Sequence, residues 1–349
     1  MKKALYWTGG VVIALAGVFA LGPRPVVGDL SGDLPLVNTN LIELEQEINQ
    51  REAANALIKP NNQARIVWAD STRKEKTPIS FVYLHGFGAS QAEGDPVHTM
   101  LAQRYGGNLY LARLREQGIE SDSAFKSLTA ANLLASAREA VAIGYALGER
   151  VIVVSTSTGS TLALKIASEH PELAGLVMYS PLIAPRDESL YLLNQPWGVQ
   201  AMETSLGTDH LINERSGRTR QYWSRYYHIN GYVTLAVLLE ETMNEETFRR
   251  VSCPAFLGYY YKDEEAQDQV VSVAAMHPMF EQLGTPAGKK RKVAFPEAGN
   301  HVIGSYIRSR DWQGVYQATD RFVQEVIGLK PVTEVVAPTY AAVGPEVDD

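Results

Sequence analysis

The sequence predicts an α/β fold: a mostly parallel central sheet with helices on both faces and a helical cap inserted late in the chain. Three observations carry that prediction. Apolar, β-branched runs alternate with helical patterns from residue 64 to residue 180, and strands separated by helices of about 10–15 residues build a parallel sheet covered on both sides. The alternation stops over residues 182–250 and resumes at residue 251. Within it, residues 151–164 (VIVVSTSTGSTLAL) pass from a strand through a tight turn of small residues directly into a helical pattern.

In chain order, Lys2 and Lys3 precede residues 4–22, which carry no charge, and Pro23-Arg24-Pro25 closes the stretch. It is longer than the roughly 7–15 residues of a signal-peptide core and close to the roughly 20 that span a bilayer. Residues 1–22 therefore read as a membrane anchor or a signal sequence. The lysines hold the N-terminus in the cytoplasm, so the rest is expected on the extracytoplasmic face of the membrane, or exported if cleaved before Leu21. Residues 23–60 read as a linker, rich in Pro, Gly and Asp up to residue 37, and then an amphipathic helix. Leu41, Leu44, Ile48, Ala54 and Leu57 carry that helix to Ile58, where Lys59-Pro60 breaks it.

Residues 61–330 make the main domain. Strands are expected at 64–69, 79–84, 108–112, 151–154, 173–179, 255–261 and 292–295, with an alanine-rich helix at 131–146. The aromatic and polar insert at about 182–250 suits a cap over the carboxyl ends of the strands, where open α/β sheets bind ligands. Residues 331–349 read as a flexible tail.

Composition excludes several classes. The net charge of −7 offers no basic excess to neutralise phosphates, so a nucleic-acid partner is not expected. The run Lys289-Lys290-Arg291-Lys292 reads as a solvated loop before a strand. Cys253 is the only cysteine, so no intramolecular disulfide forms, and before Pro254 it reads as a small buried hydrophobe. No HExxH and no cysteine pair suggests a metal, GFGAS lacks the Lys of a phosphate loop, and no cofactor is expected.

The turn Ser155-Thr156-Ser157-Thr158-Gly159 has the layout of a nucleophile elbow, with Ser157 central and small residues flanking it; Ser155 stands where the usual pattern has glycine. The bland reading is a Ser/Thr-rich loop that caps a helix. Two more segments bear on the choice: ISFVYLHGFG at 79–88, a strand ending in His85-Gly86-Phe87-Gly88, and VAFPEAGNHVIG at 293–304, a strand and turn leading to His301. With these in order, the chain resembles the α/β-hydrolase superfamily, in particular its serine esterases and monoacylglycerol-lipase-like members, over roughly residues 64–326. The superfamily's order of Ser, acid, His is met.

A serine hydroxyl needs a base within reach and a third group orienting that base. Ser157 is the expected nucleophile. Among seven histidines, only His301 lies in a turn after the final strand, which makes it the expected base. The resemblance gives His85 a structural role. For the acid, the resemblance implies a carboxylate two or three residues before a valine, which Asp268 satisfies with Val270 and Val271; Asp263, directly off the strand end, is the alternative. The N–H groups of Thr158 and Phe87 are the expected oxyanion donors. The expected reaction is carboxylic-ester hydrolysis through an acyl-enzyme, on a small-molecule ester with an acyl or lipid part. An amide or peptide substrate on the same residues, or a catalytically silent membrane-tethered binding module, remains open.

Overall fold

The β-branched run at residues 151–154 lies inside β4 (Gly148–Thr156), at the centre of a seven-stranded sheet. In the computed structural model, which describes Tyr6, residues 16–335 and Pro338, the strands are β1 (Arg65–Val67), β2 (Thr77–Leu84), β3 (Asn108–Leu111), β4, β5 (Gly175–Tyr179), then β8 (Ala255–Tyr259) and β9 (Lys290–Ala294). Their spatial order is β1-β3-β2-β4-β5-β8-β9. Only the edge pair β1–β3 is antiparallel, and every other pair is parallel.

Side chains on a strand alternate between faces, and here the alternation divides two cores. Val82, Leu84, Val151 and Val153 pack on one side with the helices α3 (Ala130–Leu147) and α4 (Thr158–Glu169). Phe81, Tyr83, Ile152 and Val154 face the other side, towards α2 (Val97–Arg104) and the C-terminal helix Trp312–Phe322. Strands buried on both faces read as continuous apolar runs, which is why residues 151–154 show no polar alternation.

The insert carries helices, as expected, and also a pair of short strands. It holds a 3₁₀ segment (Glu188–Asn194), helix α5 (Gly198–Leu206), a two-stranded antiparallel ribbon of β6 (His210–Ile212) and β7 (Tyr226–His228) around α6 (Gly217–Tyr222), and then α7 (Ile229–Thr242). Helix α7 is buried on most of its surface, and Ala236, Leu238 and Leu239 belong to the main core. The last third of the insert is therefore part of the helix layer.

Three further expectations shift. The first helix, α1 (Leu41–Ala53), is capped by Asn40 as read, but stops five residues before Ile58. The Asn55 side chain accepts the Leu57 N–H at 3.1 Å, turning the chain, and Leu57 ends 51% exposed. The basic run is not a loop: Lys290, Arg291 and Lys292 belong to β9, the sheet edge, where charge discourages pairing with another chain. The start of the tail is tied down, with Val332 N–H donating to the Arg104 carbonyl at 2.8 Å.

Cys253 is buried as expected, and burial pushes its thiol up to about 12. Of the uncharged segment at residues 4–22, positions 4, 5 and 7–15 lie outside the described residues. Among the described residues, no helix is long and apolar enough to cross a membrane.

Candidate active site

At the carboxyl end of β4 the backbone turns sharply into α4, and Ser157 at the corner has φ 53° and ψ −120°. A non-glycine residue with positive φ costs on the order of 1–3 kcal/mol and persists only where its surroundings hold it. Here they do: Ser157 N–H donates to the Tyr179 carbonyl at 2.9 Å, and its own carbonyl accepts from Ser160 N–H at 2.9 Å and Leu182 N–H at 3.2 Å.

The flanking small residues now have reasons. A Cβ on Gly159 would stand 2.1 Å from the Leu84 carbonyl oxygen, so α4 reaches the sheet only with glycine there. Ser155 serves where the usual pattern has glycine because its buried hydroxyl is satisfied: it donates to the Val177 carbonyl at 3.0 Å and lies 3.0 Å from Ser160 Oγ.

His301 follows β9, and its Nδ1 lies 2.7 Å from Asp268 Oδ2, in the loop after β8. Asp268 is fully buried, and its Oδ1 accepts the Val270 and Val271 N–H groups at 2.9 and 3.1 Å. That is the physical content of the valine spacing: the following N–H groups fix one oxygen and aim the other at the imidazole. Burial pushes the Asp268 carboxyl up, but the charge and hydrogen bond of His301 and the two N–H groups outweigh it, and the net shift is downward. Burial likewise works against His301 charging, and the Asp268 carboxylate more than compensates, leaving His301 above its ordinary value. Asp263 does not reach the imidazole. Its Oδ1 accepts the Glu265 and Ala266 N–H groups at 3.0 and 2.7 Å in an exposed turn.

Ser157, His301, Phe87 and Thr158 line one cavity of about 700 Å³. Thr158 opens α4, and N–H groups of a first helical turn have no intrahelical acceptor. Phe87 lies in a turn held on both sides: Gly86 N–H donates to Glu93 Oε2 at 2.5 Å and Gly88 N–H to Gln117 Oε1 at 2.6 Å. His85 clamps the same turn. Its Nε2 accepts the Leu114 N–H at 3.1 Å, so its Nδ1 carries the proton and donates to the Gly86 carbonyl at 2.9 Å. Burial holds that imidazole down at about 4, hence neutral. The insert covers the cavity with Leu190, Leu193 and Met202, and Trp223, Tyr227 and Tyr232 close another side.

One group escaped the sequence reading. Glu93, on the 3₁₀ turn Gln91–Gly94, is buried and lines the cavity beside Ser157. Burial pushes its carboxyl up to about 7, against the pull of the Gly86 N–H and of His301. The signal was present: Glu93 is the only acidic side chain in the run from residue 77 to residue 94, which has no Lys or Arg either.

No family model matches the chain, and no curated protein matches it. Solved structures do. A structure from work on LipS and LipT, two metagenome-derived lipolytic enzymes, is 16% identical with a TM-score of 0.61, covering 76% of this chain and 99% of that one. A soluble variant of monoglyceride lipase from Saccharomyces cerevisiae, in complex with a substrate analogue, is 12% identical with a TM-score of 0.56 over 78% and 92%. The monoacylglycerol lipase of Paleococcus ferrophilus is 14% identical with a TM-score of 0.53 over 75% and 98%. At these identities the likeness is one of architecture, and with the seven-stranded, mostly parallel sheet it establishes that the chain has the α/β-hydrolase fold.

Proposed function

We propose that the protein is a serine hydrolase that cleaves carboxylic esters through an acyl-enzyme. The observation that carries the reading is a serine in a strained strand-to-helix turn that shares a cavity with a histidine, itself 2.7 Å from a fully buried aspartate. Ser157 Oγ attacks the ester carbonyl carbon as its proton passes to His301 Nε2. Asp268 keeps the proton of His301 on Nδ1 and stabilises the imidazolium. The oxyanion takes hydrogen bonds from the Phe87 and Thr158 N–H groups. His301 then protonates the leaving alcohol oxygen, the C–O bond breaks, and the acyl group stays on Ser157. Water, deprotonated by His301, attacks the acyl carbon; the bond from that carbon to Ser157 Oγ breaks, the serine takes the proton back from His301, and the acid leaves.

The apolar wall of Leu190, Leu193 and Met202 supports a substrate with an acyl chain, and the lipases among the structural neighbours support the same direction. Hydrolysis of a series of p-nitrophenyl esters of rising acyl length, by the full chain and by Ser157→Ala, tests the reading. Turnover that rises with acyl length and vanishes in the variant is expected. Turnover of anilides or peptides without esters would move it to an amidase, and no turnover by folded protein would leave a silent binding module.

The N-terminal segment is the proposed membrane anchor, with the hydrolase domain on the extracytoplasmic face. Its described end is held against the insert: the Trp197 indole N–H donates to the Val18 carbonyl at 3.0 Å and Trp197 N–H to the Pro23 carbonyl at 3.0 Å. Sedimentation of the full chain with membranes, lost on deletion of residues 1–22, is the expected result. A mature protein beginning at Leu21 would show a cleaved signal instead.

A further inference from the structure

Glu93 is 3% exposed and lines the cavity that holds Ser157 and His301, yet no proton transfer proposed above uses it. Burying an ionisable group is unfavourable unless partners compensate, and its surroundings are built to keep it there. The turn that carries it is strapped to the loop after β9: Ser305 Oγ donates to the Ala92 carbonyl at 2.7 Å, and Tyr306 N–H to the Asp95 carbonyl at 3.0 Å. From α2, His98 Nε2 lies 2.8 Å from the Gln91 carbonyl.

Glu93 Oε2 accepts the Gly86 N–H at 2.5 Å. A Cβ on Gly86 would stand 2.9 Å from Glu93 Oε1 and 3.0 Å from Ser157 Cβ. Only a glycine lets the carboxyl and the serine side chain converge on that point.

The geometry assigns Glu93 as a positioning residue: it fixes the Gly86 side of the HGFG turn that carries the Phe87 N–H and, when ionised, favours the protonated form of His301. The catalytic consequence rests on the serine-hydrolase reading. The groups around the carboxyl are Tyr83 from β2, Trp223 and Tyr227 from the insert with Arg215 on the same cavity wall, His301 and Arg308 from the loop after β9, and Asp95 and His98 beside its own turn. Asp268 stands behind His301. Tyr83 and Trp223 also pull the Glu93 carboxyl down against burial. With burial raising Glu93 to about 7, it changes charge in the range where a histidine does, and the two titrations become linked. An ionised Glu93 raises the pH at which His301 gives up its proton.

The test is an NMR titration of the His301 imidazole in the full chain and in Glu93→Gln, with kcat/KM followed over the same pH range. The glutamine keeps an acceptor for the Gly86 N–H and removes the charge. In the wild type, the His301 titration is expected to be broader than a single-site curve, because Glu93 changes charge over the same range. In Glu93→Gln His301 should titrate in one step, with its midpoint lower by roughly half a unit to one unit and the acid limb of kcat/KM shifted equally. Glu93→Ala, which also removes the acceptor, should lose more of kcat than Glu93→Gln. A superimposable His301 titration and acid limb in folded Glu93→Gln overturns the assignment. A wild-type His301 curve no broader than a single-site titration overturns it even where neither variant folds. The NMR readout needs no turnover, so linked titration without ester hydrolysis would count against the hydrolase reading alone.

Discussion

The loop after β8 and the loop after β2 each bury one carboxyl beside the same cavity, and they treat it in opposite ways. Asp268 sits 2.7 Å from His301 Nδ1 and takes two backbone N–H groups, and its carboxyl ends below the ordinary range despite complete burial. Glu93 takes the Gly86 N–H but stands farther from the imidazole's charge, and burial wins, raising it to about 7. Burial is common to both. What separates them is direct contact with a group that can become a cation, so one carboxyl stays an anion through neutral pH and the other changes charge there.

Four outcomes test that contrast, beginning with the group both carboxyls serve. Ser157→Ala should cut ester turnover by about 10⁶-fold, as removing a triad serine does elsewhere, with the circular dichroism spectrum unchanged. Asp268→Asn should cost about 10⁴-fold in kcat, because the amide favours the wrong histidine tautomer; a loss below about tenfold would mean that contact with His301 does not distinguish the two carboxyls.

The third concerns pH. His301 is raised above its ordinary value of about 6.5, and it must be neutral to accept the serine proton. Activity should therefore be low where His301 is protonated and rise through a midpoint above about 6.5 in a kcat/KM profile. A midpoint below that value contradicts the Asp268 contact. The smallest effect belongs to Asp263→Asn, expected within about twofold of wild-type turnover, since an exposed carboxylate acts on the imidazole only at a screened distance.

Much of this site was legible in the sequence, for identifiable reasons. The elbow shows because its steric demands fall on consecutive residues: Gly159 against the Leu84 carbonyl, and a β-branched strand before it. The preference for Asp268 over Asp263 rested on two valines, and those valines supply the N–H groups that hold its carboxylate. Glu93 was missed because its burial comes from Trp223, Tyr227 and the loop after β9, all more than a hundred residues away. Helix α7 falls inside the cap as the sequence delimits it, because a helix buried on most sides shows no polar face to mark where the insert rejoins the core. The early end of α1 turns on one Asn55 side chain, a local competition that apolar spacing does not register.

Whether Ser157 is the nucleophile is decided by covalent labelling of the full chain with a fluorophosphonate, followed by peptide mass spectrometry. One modified residue is expected, Ser157, with labelling abolished in Ser157→Ala and slowed in Asp268→Asn. A label on Ser155 or Ser160, or none on folded protein that still hydrolyses esters, would contradict that assignment.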